Sequence, residues 1–242
     1  MLVTCDFHNH SCLSPCGSLD QSPAVLARLA RERGLELVAL SDHNSALNLP
    51  AFAECARREG IKALFGIEAS SAEEVHVLCL FGDLQKALAF GELLATHLPA
   101  LPFDPLKLGD QVVVDADENV VDMPETYFGA ALDLGYDELC NMAADWQALV
   151  IPAHIDRPMF GAISQLGFLP QGPYSAVEAV RPITSSASRG FTVITGSDAH
   201  YPEHIARRPF GLELPGSWND GPSLDLELIR SALHAGLVRL PF

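Results

Sequence analysis

Basic residues are scarce in this chain: 15 Lys+Arg stand against 31 Asp+Glu, a formal net charge of −16. That balance argues against a basic groove along a nucleic-acid backbone, and duplex nucleic acid is not expected as a partner. Long apolar runs are lacking too. No stretch approaches the roughly 18 residues of a membrane span, and the N-terminus has neither the basic start nor the apolar middle of a signal peptide. A cytoplasmic protein with no membrane partner is expected. Cysteine is limited to Cys5, Cys12, Cys16, Cys55, Cys79 and Cys140, too few and too scattered for a disulfide framework in 242 residues. Internal repeats and low-complexity tracts are absent, and no residue pattern speaks to oligomeric state.

What is present is a large apolar fraction, 48%, enough for a substantial core in a single domain over residues 1–242. Short apolar runs alternate with amphipathic segments, the pattern of β and α units around a parallel sheet. Ser22-Pro23 reads as the cap and first residue of helix "AVLARLARER", stopped by Gly34. Strand "LELVALSD", helix "AFAECARRE" ending at Gly60, strands "KALFGIE" and "VHVLCLF", and helix "LQKALAFGELLATHL" follow. Over residues 99–128 the alternation breaks into two apolar runs about a polar turn, which predicts an inserted β-hairpin, a candidate cover for the site. It then resumes with helix "YDELCNMAADWQAL", strands "LVIPAHI", "AVEAV" and "FTVITGSD", and a last helix near "LDLELIRSALHAG".

The ionisable residues fall where these strands end. His8 and His10 have strand spacing, so both imidazoles leave one face and can converge on one ion. His43 follows "LVALSD", Glu68 ends "ALFGI", His154 ends "LVIPA", and Asp198 and His200 follow "TVITGS". In a parallel β/α architecture those ends share a face, and active sites are built there. Asp198-x-His200 repeats the spacing of His8-x-His10, so the two pairs can grip one centre from adjacent strands. Asp6 shares parity with His8 and His10 and is a candidate to orient an imidazole. A structural zinc knot from His8, His10, Cys12 and Cys16 has permissible spacing, but such knots serve domains without a core.

In order, "DFHNHS", "LSDHN", "GIE", "VHVL", "IPAH" and "GSDAH" resemble the PHP superfamily of polymerase and histidinol phosphatase domains, over roughly residues 1–205. The resemblance implies an α/β fold, a distorted (β/α)7 barrel, with two or three divalent metal ions (Zn, Mn or Fe). It places His8, His10, Glu68 and Asp198 around a first metal. Glu68 would bridge to a second held with His76 and His154, and His43 and His200 would help hold a third. Relatives carry an aspartate in an "SDG" soon after HxH, whereas this chain reads "SPCGSLD". Asp20 is the expected replacement; the alternatives are Cys16 and a weak third site.

Imidazole and carboxylate donors do not select among those metals. Metals bridged by Glu68 would acidify a shared water to hydroxide and neutralise a phosphoryl oxygen. The expected function is hydrolysis of a phosphate ester of a small molecule, histidinol-phosphate-like or nucleotide-like, since bound cations supply the local positive charge the chain lacks. Arg157 is expected to clamp the substrate phosphate, and His204 to serve as acid toward the leaving group. The alternatives are a phosphodiesterase or exonuclease on short nucleic acids, separable by release of mononucleotides, and a non-catalytic binding domain, separable by an absence of metal.

Overall fold

A strand opens the chain, β1 (Leu2–Asp6), and the next two, β2 (Leu37–His43) and β3 (Lys62–Ser70), lie beside it in parallel in a computed structural model that describes residues 1–101, 103–221 and 224–241. The crossovers are helices α1 (Pro23–Glu32) and α2 (Leu49–Glu59). The Ser22 hydroxyl accepts from Val25 N at 3.1 Å with Pro23 beginning α1, and Gly60, at φ +70°, ends α2 in the left-handed conformation.

The next strand departs from the predicted parallel repeat. β4 (His76–Phe81) pairs antiparallel with β3, and β7 (Leu149–Pro152) antiparallel with β4. The link between Ser70 and His76 is a short turn, and parallel neighbours need a crossover of about a dozen residues, so only a hairpin fits. The reversal brings the beginning of β4 to the rim where β3 and β7 end. Between β4 and β7 run α3 (Leu84–Ala95), α4 (Pro105–Leu108), the hairpin of β5 (Val113–Val114) and β6 (Val120–Asp122), and α5 (Tyr136–Asp145).

After β7 come α6 (Ala162–Leu166), the parallel pair β8 (Val177–Glu178) and β9 (Val193–Ile194), a 3-10 turn at Pro202–His204, β10 (Phe210–Glu213), α7 (Leu226–His234) and β11 (Val238–Arg239). The main sheet runs β11-β10-β1-β2-β3-β4-β7. It curls into a distorted barrel, in which Ser175 N donates to Val150 O and Ile155 N to Glu178 O, tying β8 to the β7 side. An isolated parallel bridge between Asn9 and Ala199 draws the far end of the curl against the end of β1. The strands β10 and β11, which flank β1 on its other side, carry no alternation that the sequence reading resolves.

Both faces of the central strands are buried, which is why they read as continuous apolar runs. Val38, Leu40, Val77 and Cys79 face a core shared with α1, α2, α3 and α5. Leu37, Ala39, Leu78, Leu80, Leu149 and Ile151 face inward, where Phe7, Phe210 and the α7 residues Ile229 and Leu233 fill the curl. No helix among the described residues is long and apolar enough to cross a membrane. In the segment expected as an insertion, Pro102 lies outside the described residues; the rest places its hairpin against the loop after β1 and the start of α2, with Cys12 Sγ donating to Val112 O and Asn48 Oδ1 accepting from Val114 N.

Candidate metal centre

One buried carboxylate collects the imidazoles. Glu68 has no solvent exposure, and five ring nitrogens approach it: His76 Nδ1 at 2.9 Å, His8 Nε2, His43 Nδ1 and His154 Nε2 each at 3.1 Å, and His10 Nε2 at 3.3 Å. Strand ends supply them, as expected, except that His76 stands at the start of the reversed β4. The bridge between Asn9 and Ala199 aligns the two x-spaced pairs, so Asp198 Oδ1 lies 3.5 Å from His8 Nε2 and 3.4 Å from His10 Nε2. His200 stacks on His10 with ring centroids 4.0 Å apart. His154 at φ +29° and Asp198 at φ +46° take a backbone conformation uncommon outside glycine, into which Asp and His enter more readily than most residues.

Two relays fix the ring tautomers. The Nδ1 of His8 meets Glu178 Oε2 at 2.9 Å, and Glu178 Oε1 also accepts from His154 N at 3.2 Å. The Nδ1 of His10 meets Ser14 Oγ at 3.0 Å, and that hydroxyl donates to Asp42 Oδ1 at 2.7 Å. Each ring thus commits Nδ1 outward and turns Nε2 toward the other, 3.2 Å away. Two ligands about 2.0–2.1 Å from one tetrahedral ion stand about 3.3–3.4 Å apart, so the spacings among His8, His10, Glu68 and Asp198 are those of donors to a shared cation. Glu68 Oε2 is buried without a hydrogen-bond partner, as a ligand atom awaiting a cation would be. The residues fit a divalent metal cluster, and three groupings have donor atoms within 4.8 Å of one another: His8-His10-Glu68-Asp198, His43-Glu68-His76 and His10-His43-His200.

Charge follows the geometry. Burial opposes ionisation of Glu68, but His76, His8 and His43 outweigh it and hold the carboxyl well below its ordinary range. Burial likewise opposes charge on His10, yet Asp198 and Glu68 raise it to about 9. A cation must therefore displace a proton from His10 below that pH. Apparent metal affinity is expected to rise as pH increases toward about 9, by up to about tenfold per unit for each proton released. Calorimetric titration in two buffers of different ionisation enthalpy measures the released protons, and a flat profile would contradict this linkage.

Several sequence expectations need correction. Asp20 does not join the cluster: it is exposed, and its backbone N–H turns to Ser18 Oγ. Cys16, the exposed cysteine, stands at the edge of the cavity lined by His43, Glu68, His76, Asp198 and His200 and falls in none of the donor groupings. Asp6 orients no imidazole; its Oδ1 accepts from Ser197 N at 3.0 Å, helping to fasten β1 to the Asp198 segment. Glu178 does the orienting, although nothing in "AVEAV" beyond a charged residue in a buried strand marked it. The hairpin expected as a cover does not reach the cavity among the described residues, since no described residue of 99–128 lines it. Arg157 and His204 do line it, as does Arg207, which the sequence reading passed over. Arg157 Nη1 contacts Asp198 Oδ2, so part of the guanidinium is committed to a candidate ligand. Replacing Glu178 with Gln is expected to weaken cation binding about 10- to 100-fold through His8, read by competition with a chelating dye; unchanged affinity would leave Glu178 a packing residue.

Residues 6–204 match the PHP domain family. This chain belongs to that family. Together with the buried donor groups, membership supports a metal-dependent PHP hydrolase with a multinuclear divalent-cation site. The lesion-specific endonuclease Q of Pyrococcus furiosus aligns over 99% of this PHP chain and 58% of its own, with TM-score 0.70 and 19% identity. An endonuclease Q complex with a 27-mer duplex carrying an abasic lesion aligns at TM-score 0.71. An amidohydrolase of Chromobacterium violaceum with bound sulfate aligns over 89% of this chain and 95% of its own, at TM-score 0.55 and 18% identity. In sequence, the PolC-type DNA polymerase III of Streptococcus suis (strain 98HAH33) is 38% identical over 71 residues, 28% of this chain and 5% of that polymerase. The PHP chain thus spans just over half of endonuclease Q and a small part of the polymerase.

The exclusion of duplex nucleic acid does not stand, because a protein that carries this fold binds a duplex. Net charge is a sum over the whole chain, whereas a polyanion meets only the surface it lies on. Here several carboxylates are consumed inside the cluster, and Arg157 and Arg207 stand at its mouth.

Proposed function

We propose that this PHP protein is a metal-dependent phosphoesterase that hydrolyses phosphate monoesters of small, nucleotide-sized molecules. The observation that carries the reading is a cavity of about 360 Å³ whose floor is the Glu68 cluster and whose wall holds Arg157, Arg207 and His204. Divalent cations held by His8, His10, Glu68, Asp198, His76, His154, His43 and His200 would supply a polarised phosphoryl oxygen and an acidified water. Arg157 binds the phosphate with the donors that Asp198 leaves free. His204 gives a proton to the departing oxygen. Phe160, stacked on His76 at 4.5 Å between centroids, offers the leaving group an apolar wall.

A second reading, cleavage of a phosphodiester in nucleic acid, is favoured by the likeness to endonuclease Q over 99% of the chain. The deciding experiment loads the protein with Zn, Mn or Fe, measures metal content, and follows products from histidinol phosphate, mononucleotides, bisphosphonucleosides, and single- and double-stranded oligonucleotides, one duplex with an abasic site. Inorganic phosphate from the small esters supports the first reading. Inertness toward all of them, with strand scission or mononucleotide release, selects the second. Replacing Arg157 with Ala should lower kcat/KM on the active substrate about 10- to 100-fold by removing a charge-assisted hydrogen bond; an unaffected kcat/KM would remove Arg157 from the site.

A further inference from the structure

The segment that interrupts the β/α alternation, residues 99–128, lines no part of the cavity over the metal centre among the described residues, yet it is not a loose flap. At its base Gln111 Oε1 accepts from Phe128 N and its Nε2 donates to Thr126 O, each at 2.8 Å. At its tip the Ser22 hydroxyl donates to Glu118 Oε1, and Arg58 Nη1 to Asp117 Oδ1 at 2.7 Å. Its inner strand, β5, is buried with Leu13 and Phe128. Its outer strand is bare. All three residues of β6 are exposed, Val120 at 62% and Val121 at 60%, and so are Met123, Leu101 and Leu106, the last at 99%. Aliphatic side chains gathered in this way on a rigid support mark an interaction surface.

Residues 122–126 form a ridge between two grooves, with Pro124 lining both. One groove, about 430 Å³, lies between the ridge and Leu101, Phe103 and Pro105. The other, about 340 Å³, lies between the ridge and α3, over Leu47, Leu88 and Ala95. The charge at their edges has one sign. Asp110 and Glu125 line the first and Glu92 and Asp122 the second, while no Lys or Arg lines either among the described residues. These four carboxylates are exposed, and none belongs to an ion pair among the described residues, whereas the neighbouring Lys107 is held by Asp104 at 3.1 Å. A second copy of the chain would bring the same carboxylates against them, and an anionic membrane surface would meet the same repulsion. A cationic occupant would neutralise them.

We propose that the two grooves flanking residues 122–126 dock a basic amphipathic segment of a partner protein, whose apolar side chains seat on either side of Pro124 and whose Lys or Arg side chains face Glu92, Asp110, Asp122 and Glu125. Apolar anchors in preformed grooves supply the affinity. The carboxylates choose the sign of the partner and speed its approach. Neither the metal centre nor the reaction proposed for it enters this inference.

The test titrates the full chain against three fluorescein-labelled synthetic peptides and reads anisotropy: a Leu/Lys amphipathic helix, a Leu/Glu peptide of the same pattern, and a Lys/Ser peptide without an apolar face. The Leu/Lys peptide should bind at least about tenfold more tightly than either of the others, and less tightly as salt is raised. Met123→Asp in the first groove, Ala95→Trp filling the second, and the pair Glu92→Gln with Asp122→Asn should each weaken it at least about tenfold, with unchanged far-ultraviolet circular dichroism. The pair Glu138→Gln with Glu227→Gln removes two exposed carboxylates elsewhere, on α5 and α7, and should leave binding as it was. No binding of the Leu/Lys peptide, equal binding of the Leu/Glu peptide, persistence in both groove variants, or an equal loss in the α5 and α7 control would overturn the proposal. So would sedimentation showing a dimer that Met123→Asp dissociates, which would give the surface to a second copy.

Discussion

Exchanging Glu68 for Gln is expected to abolish hydrolysis, a loss of at least about 10³-fold, while the fold survives. Five imidazole nitrogens lie within 3.3 Å of that carboxylate. An amide has nearly the same shape but carries no charge, and one of its two terminal atoms is a donor that faces ring nitrogens also turned inward as donors or ligands. His8 and His10 would lose a counter-charge, and two of the three donor groupings would lose their shared anion. The expected signature is a drop in bound metal that accompanies the lost turnover, with the circular dichroism spectrum preserved. Full activity at full metal content would remove Glu68 from the centre of the site.

A second large effect is expected from adding one methyl group at Gly196. A Cβ there would stand 2.3 Å from Glu178 Oε2 and 2.8 Å from His8 Cβ. Neither neighbour can retreat: Glu178 is held by His8 Nδ1 and His154 N, and both residues are buried. Gly196→Ala should therefore cost about 3 kcal/mol by overpacking, lowering Tm by roughly 6–12 °C. It should also weaken cation binding at least as much as Glu178→Gln, because it disturbs His8 and its partner together. Gly216→Ala is the control, since nothing lies within 4 Å of a Cβ at that position. Equal melting temperatures for the two variants would refute the account.

The candidate metal donors were legible in the sequence because, His76 apart, each stands where an apolar run stops, and a buried imidazole at a strand end has few purposes. His8, His10, His43, Glu68, His76, His154, Asp198 and His200 all meet in space as that logic requires. Strand direction was less legible. Nothing in "VHVLCLF" says which way it runs, although the short turn before it excludes a parallel neighbour and was the available signal. The relay groups were not legible at all. Ser14, Asp42 and Glu178 act on ring nitrogens from other segments of the chain, and no local spacing encodes such a contact. Asp20 shows the limit of spacing as a guide: it lies at a tolerable distance along the chain, yet it is exposed and stands outside the donor groupings. Net charge misled for a related reason, being blind to where the charges sit.

The bridge between Asn9 and Ala199 has a temporal consequence. In synthesis from the N-terminal side His8 and His10 are made well before their carboxylate partner Asp198. A nascent chain therefore presents two imidazoles without the anions that retain a cation, and firm capture waits until the curl has closed.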